Sequence, residues 1–334
     1  MEYVVVGAGS LGQSFAGLLA RAGQPVTLLA TRRSEDRLRA SGGVRLRGAV
    51  EAVVRLGANG VRLTSEASDV PDGAAVLFTP KGYALAAAIE SVRSAADHRV
   101  AWACGVQNGM LKDDLLTSAF GAERVVAAVT ILGAQRQADD SVTVTSLGAT
   151  YLGELNAPLS QRVKQTATTF QAAGIPTQAV ENIQSVLWSK ACNATGVFGI
   201  TVLARAGTNQ LFGNPSFMRA YLTLVRETAA VAAAYGVQVG DFAGFPPIRT
   251  YAERDEQATI DQLKPQSSPG PQTYASMTQD LLAGSPLEVD AVFGDIVERA
   301  ERKGVPVPCL RLVRDVIRGL DPGQQAANLA VREP

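Results

Sequence analysis

The chain begins with a strand, a glycine turn and a helix, and no other feature limits its fold as much. Tyr3-Val4-Val5-Val6 is a short β-branched run of the kind a buried parallel strand requires. Gly7-Ala8-Gly9-Ser10-Leu11-Gly12 follows at once, and an Ala/Leu-rich helical pattern runs from Ser10 to Arg21. In this setting each glycine has a mechanical task. Gly7 makes the tight turn, Gly9 lets the backbone approach a pyrophosphate, and Gly12 allows helix and strand to pack closely. The helix N-terminus then offers unpaired N–H groups to phosphate oxygens. Gly23 and a second strand, Val26–Leu29, complete the opening of an α/β sheet. A glycine-rich turn that binds nothing is the alternative reading.

The end of that second strand separates the two nicotinamide dinucleotides, because an acid there suits a ribose 2′-hydroxyl and an arginine suits a 2′-phosphate. The chain reads Ala30-Thr31-Arg32-Arg33-Ser34, with Glu35 the first acid. The expected cofactor is therefore NADPH, with Arg32 the first candidate and Arg33 the second. The alternative is that both arginines only solvate the next helix.

Further strands are expected at 75–79, 100–104, 125–131, 142–145 and 151–153, then a helix at 161–173 and a strand at 177–180. Thr79-Pro80-Lys81 and Gln107-Asn108-Gly109 follow two of these strands. Ligands of open α/β sheets bind at such carboxyl ends, although Asn-Gly is also an ordinary turn sequence. From Asn182 the pattern becomes helical, which places a boundary near 180: a Rossmann-type dinucleotide-binding domain over 1–180, and an all-α substrate domain over 181–334. The fold class is α/β followed by all-α.

In the helical part, Ile183, Val186/Leu187, Ala191, Ala194 and Val197/Phe198 form an apolar stripe at helical period, with Lys190 inside it and Asn193 one turn on. A lysine seated there either snorkels to water or is held for chemistry. A second long helix is expected at 217–236. Residues 241–270 read as a long connection with one short helix at 252–263. Tyr274–Asp280 opens another helix that stops at Ala283-Gly284, and Ser285-Pro286-Leu287-Glu288 then reads as a capping box, which gives Glu288 a structural role.

Composition excludes other chemistries. Thirty-one basic and thirty-one acidic residues cancel, which argues against a nucleic-acid footprint or an anionic-membrane surface. No apolar stretch approaches the ~18 residues of a membrane span, and Met1-Glu2-Tyr3 lacks a signal peptide's basic region, so a cytoplasmic location is expected. The sole histidine is His98, and the cysteines, Cys104, Cys192 and Cys309, are odd in number and far apart. No metal site, disulfide framework or Ser-His-Asp hydrolase is expected. No lysine has a tyrosine four residues before it, which removes the Tyr-x-x-x-Lys pair of short-chain dehydrogenases.

Across nearly its whole length the chain resembles the ketopantoate reductase (2-dehydropantoate 2-reductase) family. The likeness rests on Gly7–Gly12, Lys81, Gln107-Asn108-Gly109, Trp188-Ser189-Lys190, Glu227, and Ser276-Met277-Thr278-Gln279-Asp280 followed by Leu287-Glu288-Val289-Asp290. The resemblance implies NADPH-dependent reduction of a 2-oxo acid, 2-dehydropantoate to pantoate in pantothenate biosynthesis. It implies catalytic roles for Lys190 and Glu288, a cofactor-side lysine at Lys81, and Asn108 beside both nicotinamide and substrate. Ser276 and Asp280 match substrate-side positions. The family's asparagines four and eight residues past the lysine are here Ala194 and Phe198, leaving Asn193 as substitute, and its arginine after the second strand falls on Thr31. A relative acting on another branched or bulky 2-oxo acid, and a non-catalytic NADP-binding sensor, are the other readings. The expected partner is a small 2-oxo acid, with no nucleic acid or membrane, and the expected assembly a homodimer.

Overall fold

Strand β1 (Tyr3–Val6) lies between β2 (Val26–Leu29) and β6 (Ala74–Phe78). In the computed structural model, which describes residues 1–57, 60–263 and 273–325, these strands belong to a five-stranded sheet ordered β5-β2-β1-β6-β7. Here β5 is Val61–Thr64 and β7 is Val100–Gly105, and every pairing is parallel. Val4 and Val6 point into one apolar cluster with Phe78, Ile89 and Phe120, while Tyr3 and Val5 point into another with Phe15, Leu28 and Phe170. Both faces are covered, so β1 has no polar position to spare. Strand order reverses at β1 and β6, which makes their carboxyl ends a switch point.

Helix α1 (Ser10–Arg21) follows β1 and α2 (Arg32–Ala40) follows β2. Strands β3 (Gly43–Gly48) and β4 (Ala52–Arg55) form a hairpin in a second sheet, so the region the sequence reading left unassigned holds three strands, β3 to β5. Helices α3 (Gly82–Ala96) and α4 (Leu111–Phe120) flank β7. Strands β8 (Val126–Arg136) and β9 (Val142–Glu154) are a long antiparallel pair, and the two segments expected at 142–145 and 151–153 are one strand. Helix α5 (Gln161–Ala172) and β10 (Thr177–Ala179) end this part, with β10 parallel to β9.

The rest is helical: α6 (Ile183–Ala204), α7 (Thr208–Gly213), α8 (Pro215–Ala234), α9 (Ile248–Glu253), α10 (Glu256–Leu263), α11 (Ser276–Leu282), α12 (Asp295–Lys303) and α13 (Pro308–Leu320). The single helix expected at 252–263 is two, because Arg254 is extended and the Asp255 carboxylate accepts from Ala258 N at 2.9 Å, capping a new helix. Pro265 and Ser267–Gly270 of that connection lie outside the described residues.

Two expectations change. Helix α6 has the length and apolar content of a membrane span, yet 83% of that stretch is buried inside the fold, as in a core helix. The capping box at Ser285–Glu288 does not form: these residues are non-helical, and α-helical geometry starts at Val289. The Asp321 carboxylate accepts from Leu287 N at 3.0 Å and ties the segment to the end of α13. A turn of π-helix, Asp290–Gly294, then leads into α12.

The chain divides into two compact units. One is 1–107 with 111–183, and the other is 108–110 with 184 onward.

Candidate functional site

The glycine turn does what its sequence asks. Gly7 has φ +100° and its N–H donates to Leu29 O at 2.8 Å, so the chain reverses out of β1 while still tied to β2. A Cβ on Gly12 would lie 1.8 Å from Gly7 O and 2.6 Å from Thr79 Oγ1, which leaves room for hydrogen alone. A Cβ on Gly9 would meet nothing within 4 Å. No side chain caps α1 at Gly9, which leaves the first N–H groups of the helix to a ligand or to water. The turn therefore fits a dinucleotide's pyrophosphate: the backbone is bare where an anion must approach and tightly packed elsewhere. Ala8 is buried, while Ser10 and Leu11 are partly exposed at the mouth.

The second switch-point strand braces this turn. Thr79 Oγ1 donates toward Val6 O (2.8 Å) and Gly7 O (2.9 Å), and Gln107 Nε2 donates to Phe78 O and Pro80 O, both at 2.9 Å. Thr79 and Gln107 were not among the candidates, although both stand beside motifs that were. Lys81 sits at the N-terminal boundary of α3, half-buried, directly after this braced turn.

Arg32 and Arg33 occupy the first turn of α2, exposed, and the Thr31 hydroxyl caps the helix by accepting from Ser34 N at 3.3 Å. Thr31 thus serves as a cap where the family pattern has arginine. Cations in a first turn oppose the helix dipole by ~0.3–1 kcal/mol, so their placement is not explained by helix stability. Arg32 Nη2 donates to Glu66 Oε1 at 2.9 Å.

In the other unit, α6 is buried nearly all round rather than along one stripe. Between Ser185 and Val202 only Lys190 and Asn193 are less than fully buried, one turn apart on one face. Ser189 beside them is pinned: its Oγ donates to Ser185 O (2.7 Å) and accepts from Gly240 N (2.8 Å). Asn193 Oδ1 accepts from Tyr221 Oη at 3.0 Å. Burial pushes the Tyr221 phenol well above its ordinary range, so it stays a donor and fixes the amide. Tyr221 carried no sequence signal, since its partner lies far away in the chain. Ala194 and Phe198 are buried apolar residues.

Helix α11 joins the same face of α6. Thr201 Oγ1 and Thr278 Oγ1 are 2.8 Å apart and fully buried. Thr201 follows Lys190 by about three turns, hence on the same side. Ser276 and Asp280 stand one turn apart on α11, exposed and half-buried, away from buried Met277 and Thr278.

Glu288 is 6% exposed, in the non-helical segment before the π turn. The Asn108-Gly109 turn packs on that π turn: Gly109 has φ +81°, and a Cβ there would lie 1.9 Å from Ala291 O. Thus the Asn108-Gly109 turn meets the turn that follows Glu288, although the two are distant in the sequence. Lys112, in α4, is a different kind of lysine. It is 2% exposed and paired with Asp113 at 2.6 Å, a structural ion pair in the first unit. His98 is exposed on the turn before β7, and Cys104, Cys192 and Cys309 are unpaired thiols. Burial raises the Cys104 thiol to about 12, which keeps it inert.

Residues 3–157 match the model of the ketopantoate reductase PanE/ApbA family, and residues 182–321 match that family's C-terminal model. The chain is 26% identical over 319 residues to a 2-dehydropantoate 2-reductase of Pyrococcus abyssi (strain GE5 / Orsay), covering 96% of this chain and 97% of that protein. Among solved structures, a PanE/ApbA family ketopantoate reductase from Ralstonia eutropha JMP134 superposes with TM-score 0.79 at 25% identity, over 97% of this chain and 100% of the other. A D-mandelate dehydrogenase solved with NADH and anilino(oxo)acetate shares the fold, with TM-score 0.80 at 19% identity, over 97% and 100% of the two chains. The family's cofactor is NADPH. The chain belongs to the ketopantoate reductase family and is an NADP-dependent oxidoreductase.

Proposed function

We propose that the protein reduces a 2-oxo acid to the 2-hydroxy acid with NADPH, and that its substrate is 2-dehydropantoate. The observation that carries this reading is the packing of the Asn108-Gly109 turn on the π segment just after Glu288, in the unit whose central helix carries Lys190. This supports the reading because the Asn108 turn, the segment after Glu288 and the helix of Lys190 belong to one compact unit.

Gly7–Gly12 would hold the pyrophosphate of NADPH, which when bound would supply the hydride for the carbonyl carbon. Lys190 donates a proton to the carbonyl oxygen and stabilises the negative charge that grows on it. Glu288 orients the substrate or Lys190, and Asn108 directs a hydrogen bond at the reacting end. Ser276, Asp280 and Asn193 position the substrate's polar groups. Arg32, with Arg33 beside it, receives the 2′-phosphate, and Lys81 lies on the cofactor side. Soluble enzymes of this kind act on small molecules in the cytoplasm, and we propose the same location here, with a homodimer as the assembly.

One observation favours a second substrate. Ala194 and Phe198 are buried apolar residues where the family presents asparagines, which suits another branched or bulky 2-oxo acid. Incubating the protein with NADPH and a panel of 2-oxo acids, while following loss of reduced-cofactor absorbance, separates the readings. The highest kcat/KM is expected with 2-dehydropantoate; a preference for a bulkier acid selects the second reading. NADPH binding without turnover on any 2-oxo acid would leave a sensor.

A further inference from the structure

Strands β2 and β5 run parallel with Leu29 opposite Thr64, and Ala30 N donates to Thr64 O at 2.9 Å, so the two chains leave the sheet side by side. Arg32 follows on one chain and Glu66 on the other. Glu66 is fixed by its backbone: its N–H donates to Thr64 Oγ1 at 3.0 Å, and Thr64 Oγ1 donates to Asp69 Oδ2 at 2.6 Å. Its carboxylate takes Arg32 Nη2 at 2.9 Å, with Ser65 Oγ at 3.5 Å from the same oxygen. The pair is open to water, with Arg32 74% and Glu66 60% exposed. Nearby, Glu35 is paired with Arg39 at 2.6 Å. The edge beyond β2 and β5 therefore carries carboxylates as well as arginines.

We infer that Glu66 sets how strongly this protein discriminates between NADPH and NADH. This rests on the reading in which the glycine turn binds a nicotinamide dinucleotide. Without a 2′-phosphate, Glu66 holds Arg32 and is placed to accept a hydrogen bond from a ribose 2′-hydroxyl. With a 2′-phosphate, Arg32 exchanges partners and the carboxylate is left facing a like charge. An exposed ion pair is weak enough for that exchange to take place in water, and a fixed carboxylate beside the phosphate opposes it. The acid that usually selects NAD at the end of the second strand is thus supplied here from the neighbouring strand.

The test measures Kd for NADPH and NADH by calorimetry, without substrate, on the wild type, E66Q, R32A and the double variant. The ratio Kd(NADH)/Kd(NADPH) should rise at least about fivefold in E66Q, at unchanged melting temperature, and the rise should shrink as salt is added. In R32A the ratio should fall about tenfold or more, as loss of a charge-assisted contact to phosphate requires. A ratio in E66Q within about twofold of wild type, while R32A loses its preference, overturns the role of Glu66 and leaves the cofactor reading standing. Failure of the wild type to bind either dinucleotide overturns both.

Discussion

At the glycine turn the main constraints lie in the motif's own backbone, with Thr79 as the one distant brace: Gly7 needs a positive φ, Gly12 has no room for a Cβ, and Gly9 borders open space. The site face of the helical unit is assembled differently. Thr278 reaches Thr201 across 77 positions, Asp321 reaches Leu287 across 34, and the turn at Gly109 rests on Ala291. The first design tolerates almost any side chains around it, so it recurs as a pattern; the second depends on particular long-range contacts and leaves little pattern. In the turn a substitution should act on folding or on phosphate binding, whereas on the helical face it should act on turnover.

The sharpest way to break that contrast is Lys190→Ala. Loss of a general acid costs about 10²–10⁴ in rate, and NADPH binding should stay within about twofold because the proposed contact is with the substrate oxygen. Stopped-flow kinetics and equilibrium binding on one preparation check both. Retention of more than roughly a tenth of wild-type kcat would make Lys190 a snorkelling residue instead.

Glu288→Gln comes next. No capping box forms at Ser285, and the glutamate is 6% exposed. The amide keeps the shape and removes the charge. Activity should fall about a hundredfold or more in kcat/KM, with melting temperature near that of wild type. Wild-type kcat/KM in a folded Glu288→Gln protein would remove the residue from the reaction.

These two residues also mark how far the sequence could be read. Strand Tyr3–Val6, helix Ser10–Arg21 and strand Val26–Leu29 match their expected bounds, because the local signals there all agree. Lys190 and Asn193 were visible as polar residues at helical spacing. Residues 43–64 were not assigned, although Val44-Arg45-Leu46-Arg47 alternates as a half-buried strand should; a second sheet becomes evident only through its pairing with β9. Strand β9 covers both 142–145 and 151–153, and Gly148 between them is required, since a Cβ there would lie 2.5 Å from Ile131 O. The capping box failed for the opposite reason: its local signal was correct and a distant carboxylate outcompeted it.

Within the turn, Gly12→Ala and Gly9→Ala should separate fold from binding. The Gly12 methyl has backbone 1.8 Å away, and overpacking of this kind costs ~1–3 kcal/mol or more. That corresponds to a fall of ~2–4 °C in melting temperature per kcal/mol for a domain of this size. Gly9 has φ −76° and open surroundings, so alanine should leave melting unchanged and weaken NADPH about tenfold or more by standing in the phosphate's path. Equal effects of the two substitutions on melting and on binding would show that the turn does not divide its tasks by position.

The smallest effect, and the one that most directly tests how the helical face is held, belongs to Asp321. Its Oδ1 accepts from Leu287 N and from Gly323 N, each at 3.0 Å, joining the end of α13 to the segment that carries Glu288. Asp321→Ala removes two charge-assisted hydrogen bonds at a partly exposed position, a loss of about 1–2 kcal/mol. The freed segment has a capping-box sequence, Ser285 to Glu288, with Pro286 at the position a first helical turn favours. Loss of Asp321 should therefore let helix extend back toward Ser285 and turn Glu288 away from the site. The expected result is a modest fall in melting temperature with a larger loss in kcat than in NADPH affinity, and Asp321→Asn should restore most of it by keeping an acceptor. A variant that melts lower but keeps full kcat would make Asp321 a stabilising contact only, and the non-helical form of 285–288 would then have some other cause.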